Sequence, residues 1–443
     1  MKRKLTIKLS SFQIITLGFI GIILLGAILL MFPISSKSGV WTPFINALFT
    51  STSAVCVTGL IVYDTAVYWS VFGQVVILLL IQIGGMGVVT MVAAFVMISG
   101  KKLGLLARGT IRDAVAFHSI GGIIKHIGFI LKAIFLIELI GALIMLPVFV
   151  IDYGAEGIWM AIFHSVSAFC NAGFDIMGTK TGEFSSLTGY VSDPVINLTI
   201  CALIIIGGIG FMVWRDVVDH KFRLTKYSLQ SKVALLVTAI LLVVPAIYFF
   251  FFEFQHMEFG ERLLASIFQT VTPRTAGFNT VNLNAISQVG LLTMIILMLV
   301  GGSSGSTAGG MKTSTLAILF ATVISLFKKK DETELLRRRV DNEAVKSSVA
   351  ILIMYVSLFL LGSVIICKIE GLELLPCLYE TASAIGTVGL SLGITPQLHV
   401  VSKLILILLM FFGRVGGLTL FFALFNIKKK PLSKYSAENI SIG

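Results

Sequence analysis

The chain has 443 residues, 56% of them hydrophobic and 13% charged, with a formal net charge of +12 and a mean hydropathy of +0.98. A soluble domain of this size would be about a quarter charged, so the composition excludes one and indicates a polytopic membrane protein. Nucleic-acid binding is also disfavoured, because most of the 34 Lys and Arg fall in five clusters separated by apolar and acidic segments.

Those clusters are the N-terminus, Lys101–Lys132, Arg215–Lys232, Lys328–Lys346 and Lys428–Lys434. The segments between them carry acids, among them Asp64, Asp175, Glu253, Glu370 and Glu380. By the positive-inside rule the clusters are expected to be cytoplasmic, with both termini inside. The first apolar run, Ile14–Phe32, follows Lys2, Arg3, Lys4 and Lys8. It is long enough to span, and no small-x-small cleavage site precedes Pro33, so it is expected to be a retained helix rather than a signal peptide. Further outward spans are predicted at Ile127–Ile151, Val233–Phe252 and Val349–Lys368, and returning spans at Phe72–Ile98, Pro194–Trp214, Val289–Phe327 and Val401–Phe425. These make eight spans in all. Cys56, Cys170, Cys201, Cys367 and Cys377 lack metal-type spacing and are expected to act as small hydrophobes.

Between each outward and returning span lies an apolar segment of about 10–14 residues, a re-entrant length. The four read LFTSTSAVCVTGL (48–60), IFHSVSAFCNAGF (162–174), IFQTVTPRTAGFN (267–279) and LYETASAIGTVGL (378–390). Each has an aromatic, hydroxyl residues two and four positions on, and an ending of two residues, glycine and an apolar residue. The third copy is one residue shorter between aromatic and glycine. The glycines recur roughly every 110 residues, so the chain is a fourfold repeat of helix, short helix and helix. A short helix that turns into extended chain inside the membrane leaves backbone carbonyls unpaired. That is tolerated where they line a polar path, and four copies around an axis form a ring able to replace the water shell of a potassium-sized ion. The predicted filter residues are Val57, Thr58 and Gly59; Asn171, Ala172 and Gly173; Thr275, Ala276 and Gly277; and Thr387, Val388 and Gly389. The predicted fold is all-α: four pseudo-symmetric helix–pore helix–helix repeats, with eight spans and four re-entrant pore helices around one central pore. Their bounds are 1–100, 101–220, 221–345 and 346–443, the last including a cytoplasmic tail.

The third returning span is interrupted by Gly301, Gly302, Ser303, Ser304, Gly305, Ser306, Thr307, Ala308, Gly309, Gly310, Met311 and Lys312. This stretch is one residue off a phosphate-binding loop; Met311 spoils the spacing and no strand precedes it, so that reading is rejected. The other returning spans carry glycine clusters of their own, at Gly84–Gly87, Gly207–Gly210 and Gly413–Gly417, and close helix packing accounts for the first two. The last contains Arg414, and an arginine at membrane depth is expected to face a polar cavity or a partner. Glu138 is a lone intramembrane acid without an assigned role. Lys312 either serves the interrupted stretch or marks the cavity's end. His164, Gln269 and Glu380 occupy matching places on the short helices and are expected to orient helices or attract cations. Arg274 is expected to pair with an outer acid.

From Phe12 to Phe425 the chain resembles the Trk/Ktr/HKT cation transporters, and within them the bacterial KtrB-type potassium-translocating subunit. The resemblance rests on the four filter segments, the interrupted third returning helix and Arg414. It implies K⁺ as the transported ion with selectivity centred on Gly59, Gly173, Gly277 and Gly389, and Na⁺ as a second candidate ion. It implies that 301–312 is an intramembrane gating loop, with Arg414 beside it as a positive barrier. It further implies a homodimer in the cell membrane and a separate cytoplasmic ring of KtrA-type subunits carrying the nucleotide (ATP, ADP or NAD). No cofactor is expected in this chain. An intramembrane enzyme is the competing reading, but the chain has no His-Glu-x-x-His pair and no paired intramembrane aspartates. A structural membrane component is the other, and it would not require four matched filter segments.

Overall fold

The computed structural model describes residues 10–87, 90–91, 123–424 and 438. The basic N-terminus, positions 92–98 of the first returning span, most of the Lys101–Lys132 cluster and the Lys428–Lys434 cluster lie outside the described residues.

Four long apolar helices form the periphery: α1 (Ser11–Met31), α4 (Ile123–Tyr153), α8 (Leu229–Tyr248) and α12 (Asn342–Glu370). The start of α1 is set by a capping box. Ser10 Oγ accepts from Gln13 N at 3.2 Å, and Gln13 Oε1 accepts from Ser10 N at 3.0 Å. Its buried stripe, Ile15, Phe19, Ile23 and Leu30, follows the helical period, while Leu17, Leu24, Leu25 and Ile28 stay exposed. A helix apolar all round with one buried stripe is a lipid-facing span. Only 28–33% of each such span is buried, so all four share this position at the rim.

The short helices are α2 (Phe44–Val55), α5 (Glu156–Phe169), α9 (Phe259–Val271) and α13 (Leu374–Gly386). At 12 to 14 residues they reach about 20 Å, roughly two-thirds of a hydrocarbon core. Their motif aromatics, Phe49, Phe163, Phe268 and Tyr379, are all fully buried, which anchors each helix between its neighbours.

The third returning span is interrupted where the sequence predicts, and the other three depart from the expectation of single helices. The first begins as α3 (Val71–Met86) and stops at Gly87. The second divides into α6 (Pro194–Gly208) and α7 (Phe211–His220), bent by 95°, and the fourth into α14 (Val400–Val415) and α15 (Gly417–Leu424), bent by 96°. In the third, α10 (Gln288–Leu299) and α11 (Thr313–Phe327) are separated by the 301–312 stretch. Among the described residues four of the spans are thus single helices long and apolar enough to cross a membrane, and the second and fourth returning spans are bent pairs. The cause is backbone: Gly87, Gly210 and Gly416 have φ of 83°, 99° and 90°, which helical residues do not adopt. A two-residue antiparallel ladder, Glu334–Leu335 with Arg338–Arg339, lies in a basic connection.

Packing closes the repeats into a ring. Each short helix packs against the peripheral helix of its own repeat. Each returning helix packs against the short helix of the next: α3 on α5, α6 on α9, α10 on α13, and α14 back on α2.

Candidate functional site

The four motif endings meet at the centre of this ring. Two residues before each glycine the backbone is left-handed: Val57 (φ 56°), Asn171 (59°), Thr275 (69°) and Thr387 (52°). Gly59, Gly173, Gly277 and Gly389 follow at 90°, 67°, 88° and 97°. Three of the four preceding residues are β-branched. Such backbone costs roughly 1–3 kcal/mol per residue and persists only where the surroundings impose it.

The order of contacts shows that the ring is closed. A Cβ on Gly59 would strike the carbonyl oxygen of Ala172, on Gly173 that of Ala276, on Gly277 that of Val388, and on Gly389 that of Thr58. Backbone abuts backbone from each repeat to the next, and no side chain fits between. The short helices end at this ring, so the negative ends of their dipoles favour a cation there.

The repeated hydroxyls hold the ring from behind. Ser53 Oγ accepts from Gly59 N (3.1 Å) and Ser383 Oγ from Gly389 N (2.9 Å). Ser167 Oγ donates to Phe174 O (2.7 Å) and Thr272 Oγ1 to Phe278 O (2.5 Å). The hydroxyl two positions earlier faces outward in three repeats. Ser51 donates to Ile23 O (2.7 Å), Ser165 donates to Glu138 O (2.5 Å), and Thr381 shares a hydrogen bond with Ser363 Oγ (2.5 Å). These seven positions are visible in the sequence as a pattern, but the pattern alone does not say that one set braces the ring and the other the rim.

Above the ring, on the side where the chain enters the short helices, is a cavity of about 830 Å³ lined by all four glycines. Asp175 also lines it, with its carboxyl pushed up to about 7 by burial and by the neighbouring Asp64 carboxylate. Below the ring a second cavity of about 310 Å³ is lined by Gly85, Gly87, Gly305, Lys312, Gly413 and Arg414, among others.

The 301–312 stretch lies between ring and lower cavity. It closes on itself through Gly301 N to Met311 O (2.8 Å) and Thr313 N to Gly302 O (3.2 Å). It is tied to the second returning helix by Ser303 N to Gly208 O (2.9 Å) and Thr307 N to Gly207 O (3.2 Å), and to the fourth by Gly310 N to Gly413 O (3.2 Å). Gly309 lies against Thr387 and Gly310 against Gly386, directly under the fourth ring segment. Ser304 and Ser306 reach Ser314 Oγ (3.2 Å) and Ser303 O (2.7 Å), and Ala308 packs on Gly302.

Arg414 lies beside this loop. Its guanidinium donates to Thr307 O in the loop and to Gly84 O and Gly85 O (3.0 Å) at the end of α3. All three acceptors are carbonyls, so the positive charge is solvated but not neutralised. Lys312 Nζ donates to Ala308 O (2.8 Å) and Gly309 O (3.2 Å), adding a second cation to the lower cavity.

The remaining residues resolve as follows. Glu380 accepts from Ser391 Oγ (2.8 Å) and Thr395 Oγ1, and His164 Nε2 accepts from Ile176 N (3.5 Å). Both pin the chain that leaves the ring, an orienting role. Gln269 reaches only Met294 Sδ (3.2 Å). Glu138 accepts from Gln82 Nε2 (3.0 Å), which joins α4 to α3. Arg274 departs from expectation. It is buried behind the ring, Nη2 donates to Thr238 Oγ1 (3.3 Å), and it forms no ion pair among the described residues, because the α8 surface it meets is a hydroxyl and not an acid. Close packing is only part of the purpose of the glycine clusters. Gly84, Gly207 and Gly413 each lie against the carbonyl of Val55, Phe169 or Ile385, at the end of their own short helix. The cysteines are free, and all but Cys367 are buried.

Residues 8–437 match the family described as TrkH, cation transport protein. The potassium/sodium uptake protein NtpJ of Enterococcus hirae is 40% identical over 100% of this chain and 99% of its own length. The Ktr system potassium uptake protein B of Bacillus subtilis is 39% identical over 93% of this chain and 92% of its own. The crystal structure of the potassium transporter TrkH from Vibrio parahaemolyticus covers 96% of this chain and 87% of its own, with a TM-score of 0.72 at 19% identity, which is a likeness of fold.

Proposed function

Because this chain belongs to the TrkH family of cation transport proteins, and is thus a membrane transporter and not an enzyme, we propose that it takes up potassium across the cell membrane through the ring at Gly59, Gly173, Gly277 and Gly389. The observation that carries this reading is the closed, chain-ordered contact of the four glycines with the carbonyls of Ala172, Ala276, Val388 and Thr58. Residues 57–59, 171–173, 275–277 and 387–389 act as a selectivity filter whose backbone oxygens replace the ion's hydration shell. The test is tracer flux of Rb⁺ and Na⁺ into vesicles holding the purified chain. Serine at each glycine in turn should raise Na⁺ relative to Rb⁺, and an unchanged ratio for all four removes the filter.

The 301–312 loop is the gate, and Arg414, with Lys312, makes the lower cavity hostile to cations while the loop is in place. The large cavity faces outside and the small one the cytoplasm, with both termini inside and the repeats divided near 100, 220 and 345. The chain works as a homodimer on a cytoplasmic nucleotide-binding ring, a reading supported by relatives named as Ktr system proteins. The name of NtpJ supports Na⁺ as a second ion. A monomer in vesicles that responds fully to nucleotide by itself would remove the dimer and the ring.

A further inference from the structure

We infer that the side chains of Asn171 and Thr307 form a strut through which the intramembrane loop sets the geometry of the filter, so that selectivity depends on where the loop is. The inference rests on the reading of filter and loop given above. Asn171 is at once a ring residue, held at φ 59°, and a crossroads of side-chain bonds. Its Oδ1 accepts from Thr307 Oγ1 of the loop at 3.2 Å. Its Nδ2 donates to Thr275 Oγ1 (3.2 Å) and Arg274 O (3.4 Å) in the third ring segment. Thr307 Oγ1 also reaches Phe169 O (3.1 Å), the last residue of α5. One loop hydroxyl is therefore bonded to the second ring segment, and through one amide to the third.

The fourth segment is propped independently. Gly309 lies so close to Thr387 that a Cβ there would coincide with its hydroxyl, and Thr387 Oγ1 has no hydrogen-bond partner among the described residues. Asn171, Thr275 and Thr387 share the left-handed backbone two residues before the glycine, and a conformation of that kind persists only while its surroundings hold it. Moving the loop removes Thr307 from Asn171 and Gly309 from Thr387, and frees the Asn171 amide to turn away from Thr275. Asn171 and Thr307 are positioning residues in this scheme, since neither side chain need touch the ion. Coupling of this kind is reciprocal: a potassium ion that orders the ring must also favour the seated loop.

The experiment compares Rb⁺ and Na⁺ flux in vesicles for the full chain, Thr307→Val, Thr307→Ser and Gly59→Ser. Thr307→Val removes the hydroxyl at nearly constant volume and should lower the Rb⁺/Na⁺ ratio about fivefold, the low end of ordinary coupling factors. Thr307→Ser, which keeps the hydroxyl, should retain the ratio. A merely structural role would change the amount of flux and leave the ratio alone, and that result overturns the strut. Gly59→Ser, with serine at the other three glycines in turn, separates the two readings: if any of the four shifts the ratio and Thr307→Val does not, the filter stands and the coupling falls; if none shifts it, both fall. A measurement on the unaltered chain guards against a variant that fails to fold. Amide hydrogen exchange across 301–312 should be slower in K⁺ than in choline, and equal exchange in the two overturns the coupling.

Discussion

Replacing Arg414 by glutamine should release the loop, and the size of the effect follows from its three hydrogen bonds. The guanidinium spans a gap, with Thr307 O on one side and Gly84 O and Gly85 O on the other. Only the Thr307 bond ties the loop, and a hydrogen bond to a charged group contributes about 1.5–3 kcal/mol. Its loss multiplies the population of the displaced loop by roughly 10 to 100, since each 1.4 kcal/mol is a factor of ten. The loop does not leave altogether, because Ser303 N to Gly208 O, Thr307 N to Gly207 O and Gly310 N to Gly413 O remain. Removing a fixed positive charge from the cation's path acts in the same direction. Rb⁺ uptake into vesicles, without any regulatory partner, should therefore rise about 10-fold or more over its low basal value. Arg414→Lys should fall between, since an ammonium keeps the charge but lacks the planar fork that reaches both sides of the gap. An Arg414→Gln protein that folds normally and shows the original basal flux would refute both the tether and the barrier.

Deleting Gly305 to Gly309 should also raise basal Rb⁺ flux, and because it removes both Thr307 and Gly309 it should lower the Rb⁺/Na⁺ ratio at least about as far as Thr307→Val does. Combined with Arg414→Ala the two effects should be less than additive, because both act on one contact, and full additivity in a flux double-mutant cycle would separate them. Ser383→Ala removes the side-chain acceptor of the half-buried Gly389 N–H and should cost about 1 kcal/mol in the fourth ring segment, read as a lower Rb⁺/Na⁺ ratio and a lower melting temperature. The exposed Thr293, whose hydroxyl bonds only within its own helix, supplies the comparison: Thr293→Ala should change neither. Glu380→Leu removes the acceptor for Ser391 and Thr395 and should lower Rb⁺ uptake, whereas Glu380→Gln, which keeps acceptor capacity, should retain most of it.

How much of this was legible in advance differs from element to element. The peripheral helices were plain because one property, uninterrupted hydrophobicity over the bilayer's thickness, is local and sufficient, and the observed α1, α4, α8 and α12 contain nearly all of the predicted spans. The four short helices and their glycines were legible because repetition makes each copy evidence for the others. The break in the third returning helix was legible too, but those in the other three were not. A glycine in an apolar run is compatible with tight helix packing or with a break, and only the φ of 83°, 99° and 90° at Gly87, Gly210 and Gly416 distinguishes them. Arg274 failed for a similar reason. Its place beside the third filter segment suggested an outer acid as its partner, but its side chain is buried and donates to Thr238 Oγ1 instead.

The sequence by itself determined the membrane setting, the fourfold repeat and which four glycines recur in register, because hydrophobic length, charge distribution and register are properties of order along the chain. Only the tertiary structure decided that the four endings close into one ring in the order 59, 173, 277, 389, that Arg414 holds Thr307 to Gly84 and Gly85, and that Asn171 joins loop to ring. The ring contacts and the Arg414 hydrogen bonds link residues more than 100 positions apart through backbone carbonyls, which every residue carries alike. A carbonyl leaves no mark in the amino-acid sequence until folding decides which way it points.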